Sequence, residues 1–239
     1  MGDRNQYEFV KKNRDLFHGP FLEIGSRRYD GLPRLHELFP EGEWIGVDRS
    51  AGEGVDLVAD GTAPFEEVDK ALGRRRFATI FCLSVLEHCE NPFVMAQNLT
   101  RLLEPDGLIF VSVPFAWKFH GYPSDYWRFT AEGVQKLFPD IVFLDHLDHG
   151  ATSFPGETFP LDGNLGRIAI RNPGRMAGKG HWFRALELCL LRALSLFGPM
   201  RWLVRYRYLF PPVMVNRVGR PRSADSRDPS SSRPRRNFE

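Results

Sequence analysis

The 239-residue sequence predicts an α/β fold with a doubly wound, mostly parallel sheet of about seven strands. Three observations carry that expectation. Short apolar runs closed by Gly, Pro or Asp recur along the N-terminal half. Segments with helical spacing of apolar residues lie between them, and the connections are short.

Gln6 to Phe17 reads as an amphipathic lead-in helix, and Phe21-Leu22-Glu23-Ile24 as a buried strand stopped by Gly25 and Ser26. Leu32 to Phe39 has helical spacing, with Pro40 beyond its end. Trp44 to Asp48 is a second strand and Val55 to Ala59 a short third one. A helix over Phe65 to Leu72 leads to a fourth strand, Phe77 to Leu83. Asn91 is suited to cap the next helix and Pro92 to its first turn, with the end near Leu103. After the turn Glu104-Pro105-Asp106-Gly107 comes a strong fifth strand, Leu108 to Val113, closed by Pro114. Thr130 to Phe138 is a further helix, and Ile141 to His146 and Arg167 to Arg171 are added strands around a Gly/Pro-rich loop. His181 to Phe197 and Met200 to Leu209 read as Arg-bearing amphipathic helices. From Asn216 onward Arg, Ser, Pro and Asp dominate, the composition of a disordered tail. The expected organisation is a catalytic domain over 1–180, a helical extension over 181–215 and a basic tail over 216–239.

A hydrophobic share of 42% and a charged share of 26% are those of a folded, water-soluble chain. No apolar run approaches the ~20 residues of a membrane-spanning helix. Cys82, Cys89 and Cys189 lack C-x-x-C spacing, and the polar start shows no apolar leader. Reduced thiols and a cytoplasmic setting are therefore expected. The net charge of +2 is unevenly spread, because residues 181–239 hold twelve Arg against four acids. An acidic body with a basic C-terminal region argues against nucleic acid as partner. It fits an enzyme with a docking extension, in which residues 181–236 make a peripheral membrane contact or, in the plainer alternative, the helices simply pack over the sheet.

In such sheets ligands lie outside the carboxyl ends of the strands, at the switch point. Glu23, Gly25 and Ser26 follow the first strand, Asp48 the second, Asp60 and Gly61 the third, and Ser84 to His88 the fourth. A carboxylate after strand two can accept hydrogen bonds from both hydroxyls of a ribose. A dinucleotide site also uses a strand-end glycine and a later acid, but it wants G-x-G-x-x-G for the pyrophosphate. Gly25-Ser26-Arg27-Arg28-Tyr29-Asp30-Gly31 lacks that pattern. S-adenosylmethionine (SAM) has no phosphate and carries an ammonium and a sulfonium, so acidic surroundings suit it. Methyl transfer is favoured over hydride transfer.

Phe21-Leu22-Glu23-Ile24-Gly25-Ser26, Gly46-Val47-Asp48, Val85-Leu86-Glu87-His88 and Leu103-Glu104-Pro105-Asp106-Gly107 resemble successive motifs of class I SAM-dependent methyltransferases of the type-11 kind. The run His120 to Thr130 is similar to a subgroup found beside glycan-assembly genes. The resemblance spans about residues 1–150 and departs at the first loop, where the usual second and third glycines are missing. It implies a Rossmann-like fold, SAM as cofactor, Asp48 on the ribose and the Asp60-Gly61 turn near adenine. Glu23, Gly25, Ser26, Ser84 and Glu87 complete the expected cofactor set.

For the chemistry, two histidines fall after strands. His88 follows strand four, and His120 follows strand five in a loop with Tyr122, Asp125, Tyr126, Trp127 and Arg128. A hydroxyl acceptor benefits from a base with a pKa near neutrality. His120, His88 and Asp125 are the catalytic candidates. Tyr122, Tyr126, Trp127 and Arg128 are the acceptor-binding ones, since aromatic faces stack on sugar rings and Arg reads charged groups. Each has a plainer alternative. Gly25 serves equally as a turn glycine, Asp48 as a solvated turn residue, Asp60 as a helix cap, and Glu23 as the partner of an Arg. Tyr126 and Trp127 fit a core, and His88 fits a histidine bonding a loop carbonyl. Glu87, His88, His120 and Asp125 include metal-ligand types, but their spacing is not diagnostic and no metal is assigned. The expected function is SAM-dependent methylation, at oxygen, of a carbohydrate-like or other small acceptor. Two alternatives are a catalytically silent scaffold in a biosynthetic complex and a methyltransferase acting on a lipid or quinone at a membrane surface.

Overall fold

The computed structural model describes residues 4–28, 33–121, 123–153, 155–161, 173–178, 180, 182–200 and 213–222. Its centre is one sheet in which β1 (Phe21–Ile24), β2 (Trp44–Asp48), β3 (Leu57–Val58), β4 (Phe77–Leu83) and β5 (Leu103–Ala116) run parallel in the order β3-β2-β1-β4-β5. The chain moves outward from β1 to β3 and then crosses back to β4. The switch point therefore lies between β1 and β4, as expected for a Rossmann-like fold.

Both faces of the sheet are covered. Leu22, Ile24, Ile80, Ile109 and Val111 pack beneath α2 (Phe65–Ala71), α3 (Pro92–Leu102) and α4 (Ala131–Leu137) through Val68, Leu99, Leu102, Val134 and Leu137. The opposite face carries Phe21, Phe81 and Phe110 against Val10 of α1 (Arg4–Lys12), Phe17, Leu35 and Phe39. Phe21 stacks on Trp44 with ring centroids 4.4 Å apart. The Asn91 cap expected from the sequence is in place. Asn91 accepts a hydrogen bond from the Val94 amide at the start of α3, and Thr130 accepts one from the Gly133 amide at the start of α4.

Beyond β5 the structure departs from the sequence reading. Among the described residues the sheet has nine strands, and its far half is antiparallel. β6 (Ile141–Phe143), β7 (His149–Thr152) and β8 (Thr158–Pro160) assemble around β9 (Val213–Pro221), which is hydrogen-bonded to β5, β6 and β7. The disordered tail was expected to begin at Asn216, yet Asn216 to Pro221 lie inside β9. Arg217 misled the composition. Its guanidinium is 2.6 Å from Asp148 and lies 4.1 Å from the centroid of the Phe143 ring, so a charged residue is buried by pairing. β7 and β8 occupy part of the expected Gly/Pro-rich loop.

The lead-in helix ends at Lys12 and a 3₁₀ turn takes over at Arg14–Leu16. The helix expected from Leu32 reduces to a 3₁₀ turn at Leu35–Leu38, where Phe39 swings onto Phe21. The expected Glu104–Gly107 turn is absorbed in β5 as an irregularity, across which the pairing steps from Phe77 with Leu103 to Thr79 with Leu108. The expected strand at Arg167–Arg171 and most of the Met200–Leu209 helix lie outside the described residues.

α5 (Pro173–Gly178) and α6 (Trp182–Leu194) pack on each other through Ala177, Ala185, Leu188, Leu191 and Leu194. α6 leaves Phe183 91%, Leu186 69% and Leu190 61% exposed. No helix among the described residues is long and apolar enough to cross a membrane.

Candidate active site

At the carboxyl ends of β1, β2 and β4 the chain leaves a cleft of about 600 Å³, inside the range of ~300–1,000 Å³ typical of small-molecule and cofactor sites. Of the residues singled out in the sequence, Gly25, Asp48, Asp60, Gly61, Ser84, His88 and His120 line it.

The first loop turns at Gly25, whose φ of +73° is a left-handed conformation open to glycine. Its amide and that of Ser26 both donate to the Val47 carbonyl, which draws the β1 and β2 loops together. Gly46 is required there, because a Cβ would sit 2.4 Å from the Gly54 carbonyl oxygen. Asp48 accepts from the Ser50 amide at 2.9 Å and from the Arg27 amide at 3.4 Å. Asp60 accepts from both the amide and the hydroxyl of Thr62. Burial would raise its pKa, but those bonds and Arg49 outweigh burial and lower it. The helix cap weighed for Asp60 is instead a local turn, since α2 begins at Phe65. Ser84, with φ +57°, holds a strained left-handed conformation at the end of β4.

The turn after β4 and the loop after β5, distant in sequence, are stitched together. The Glu87 carbonyl accepts from the Tyr126 and Trp127 amides, and the Trp127 indole donates to the Cys89 carbonyl at 2.8 Å. His88 Nδ1 lies 2.5 Å from the Ser124 carbonyl oxygen. A carbonyl only accepts, so Nδ1 carries the proton and Nε2 is the basic nitrogen. The plainer reading of His88, bonding to a loop carbonyl, thus describes one of its nitrogens, while the ring itself lines the cleft. Burial lowers the His88 pKa.

His120 meets His88 edge to face, centroids 4.9 Å apart. Its Nδ1 is 3.2 Å from Asp125 Oδ2 and 3.2 Å from the Lys118 carbonyl oxygen. Asp125 in turn receives a two-pronged contact from Arg128, at 2.5 and 2.7 Å. That hydrogen bonding holds the Asp125 carboxyl well below the usual carboxylate range. Beneath them Glu87 is 1% exposed, its Oε2 has no hydrogen-bond partner, and burial pushes its pKa up to about 7.

Other expected residues stand apart. Glu23 shares a strand face with Phe21 and is absent from the cleft lining, with its pKa raised by burial to about 7. Ser26 is buried behind the loop, and its hydroxyl has no hydrogen-bond partner. Tyr126 and Trp127 are partly exposed beside the cleft, and Tyr122 lies outside the described residues.

Sequence reasoning passed over Arg27, Arg49, Ser50, Thr62, Cys89 and Met95, all of which line the cleft. Arg49, Ser50 and Thr62 directly follow Asp48 and Gly61, so reading each loop a residue further would have found them. Burial pushes the Cys89 thiol up to about 12, which keeps it protonated.

A family profile described as "Methyltransferase domain" matches residues 8–158, more than half of the sequence. The chain belongs to the methyltransferase-domain family. No curated protein matches it in sequence. Among solved structures it resembles 1,6-didemethyltoxoflavin-N1-methyltransferase of Burkholderia thailandensis, solved with 1,6-didemethyltoxoflavin and S-adenosylhomocysteine. That match has 11% identity and a TM-score of 0.51, over 92% of this chain and 78% of that one. A SAM-dependent methyltransferase of Anabaena variabilis aligns at 15% identity and TM-score 0.51, over 92% and 84% of the two chains. The [4+2]-cyclase SpnF aligns at 13% identity and TM-score 0.50, over 91% and 81%. These likenesses concern the fold, and the cyclase illustrates that a fold does not set the reaction.

The cleft of this methyltransferase suits a nucleoside-bearing methyl donor. Its lining alternates apolar residues (Ile24, Val47, Ala59, Val85, Met95) with the carboxylates Asp48 and Asp60, and the first loop has no glycine-rich cradle for a diphosphate.

Proposed function

We propose that the protein transfers a methyl group from SAM to an oxygen of a carbohydrate-like or other small acceptor. When bound, the donor supplies an electrophilic methyl on a sulfonium. The chain's part is to align acceptor and donor and to take the acceptor's proton. Asp48, at the end of β2, is assigned to the donor ribose, and the Asp60-Gly61 turn to adenine. Gly25 and Ser84 line the rest of the donor side.

The observation that carries the oxygen acceptor is the cleft-lining His120, backed by Asp125 and Arg128. With Nδ1 donating to the Lys118 carbonyl, Nε2 is the base, and the Asp125 carboxylate 3.2 Å from Nδ1 stabilises the imidazolium formed when it takes a hydroxyl proton. An amine acceptor delivered neutral needs no such relay. Trp127, Tyr126 and Arg128 flank this point and suit a polyhydroxylated ring.

The test is to incubate the purified protein with methyl-labelled SAM and fractionated cell extract. Label in an O-methyl group of a small, carbohydrate-like product is expected. Label only on nitrogen, on protein or on nucleic acid would overturn the reading.

The exposed apolar stripe of α6 favours a second reading, in which the acceptor is a lipid or quinone met at a membrane surface. Leu186, Leu190 and Phe183 would enter the interface beside Arg184 and Arg192. In the same experiment this reading requires the label to partition into the organic phase.

A further inference from the structure

We infer that Glu87, His88 and His120 form a binding site for one divalent first-row transition cation of the Zn²⁺ class, at the wall of the methyl-transfer cleft.

One ligand atom from each residue lies within 4.8 Å of the other two, and His88 Nε2 is 4.0 Å from Glu87 Oε1. Ligands around such a cation, at bonds of ~2.0–2.2 Å, stand roughly 3.3 Å apart, so a closure of at most about 1.5 Å completes the set.

The stronger argument is the arrangement behind the ligands. Metal-bound imidazole donates its second N–H to a carboxylate or carbonyl, which fixes the tautomer and aims the basic nitrogen. Both histidines are held this way. His88 Nδ1 faces the Ser124 carbonyl at 2.5 Å, and His120 Nδ1 faces Asp125 and the Lys118 carbonyl, each at 3.2 Å. Asp125 is itself fixed by Arg128, so the carboxylate behind His120 is oriented too.

A second, independent observation is Glu87. The side chain is 1% exposed, and its Oε2 makes no hydrogen bond. Buried carboxylate oxygens are seldom left so, and a cation satisfies one without another hydrogen-bond donor. Two imidazoles with one carboxylate select Zn²⁺, Fe²⁺ or Co²⁺ over Mg²⁺, which prefers oxygen ligands. Because His88 and His120 line the cleft, the cation is reachable by an acceptor oxygen.

The site itself does not depend on the acceptor. Only its catalytic consequence, lowering the pKa of a coordinated hydroxyl, rests on the oxygen reading, and there the cation would replace the His120 base.

The test is titration of the untagged, chelator-treated full-length protein with Co²⁺, followed by visible d–d absorption in the absence of donor and acceptor. One equivalent should develop the bands, Zn²⁺ should abolish them, and a large excess of Mg²⁺ should not. His88→Ala and His120→Ala should each remove tight binding, and Glu87→Gln should weaken it. Asp125→Asn, which keeps all three ligands, should weaken binding by roughly 10–100-fold, as loss of a supporting carboxylate behind a ligand histidine does. Circular dichroism verifies each fold, and His88→Gln substitutes if His88→Ala unfolds. Cys189→Ser, away from the cleft, should change nothing. Absence of the bands, bands that survive both histidine substitutions, or bands lost with Cys189 would each overturn the site. Methyl transfer to nitrogen would overturn the oxygen reading and leave the Co²⁺ result standing.

Discussion

Asp48 is the cleft-lining carboxylate proposed to hold the donor ribose. Two of its acceptor positions are spent on the Ser50 and Arg27 amides, which orient the carboxylate at the cleft wall. Asp48→Ala is expected to weaken SAM binding by about 1–3 kcal/mol, the cost of removing hydrogen bonds to a charged acceptor. Titration calorimetry checks it, and wild-type affinity in a folded variant would move the ribose elsewhere. His120→Ala should lower turnover by ~10²–10⁴ while donor affinity holds. Undiminished turnover would shift the base to His88. Glu23 makes a pH prediction. Burial raises its pKa from 4.5 to about 7, so between those values the folded chain keeps a proton that the unfolded chain has released. Stability therefore falls as pH rises through that window and levels off above it, by about 3 kcal/mol at ~1.4 kcal/mol per unit. Glu87 acts in the same sense. Glu23→Gln should remove about half of the decline, seen in thermal melts from pH 5 to pH 8. An unchanged slope would mean that Glu23 is hydrated.

At the scale of elements, β9 is the one that composition concealed. Its Val215 and Val218 lie in the hydrophobic clusters on opposite faces of the sheet, and Arg217 is paired with Asp148 on the α4 side. A strand covered on both faces does not alternate in polarity, and a paired guanidinium inside it reads as tail. Removing one partner of a buried pair strands the other, at roughly 3–5 kcal/mol. Asp148 can relieve part of that by protonating, since burial already raises its pKa despite Arg217. Arg217→Ala is therefore expected to cost about 3 kcal/mol in urea unfolding, and a loss under 1 kcal/mol would show the pair to be solvated. The parallel strands were legible because apolar runs and turn residues fall at their ends. The β7 and β8 hairpin was not, because its strands are three or four residues long and are stabilised by β9, a distant partner.

For the whole molecule, β9 changes how the C-terminal region is to be probed. A chain ending near Gly180 loses the strand that joins β5 to β6 and β7, so it should aggregate whether or not α6 meets a membrane. The surface question needs point changes. Leu186→Gln with Leu190→Gln should leave the melting temperature within about 2 °C, because both are exposed. The pair should abolish sedimentation with anionic vesicles at low salt if α6 docks there. No binding by the unaltered chain rejects the membrane reading. The sequence by itself determined the parallel half of the sheet, its switch point, the strand-end candidates and the two histidines. Local periodicity and turn chemistry act over a few residues, and those features are local. Tertiary structure alone decided that His88 and His120 share one cleft wall above Glu87, that Glu23 lies outside the cleft lining, and that residues 213–221 complete the sheet. Each depends on a contact between segments far apart in the chain, where burial and pairing outweigh the local composition that a sequence displays.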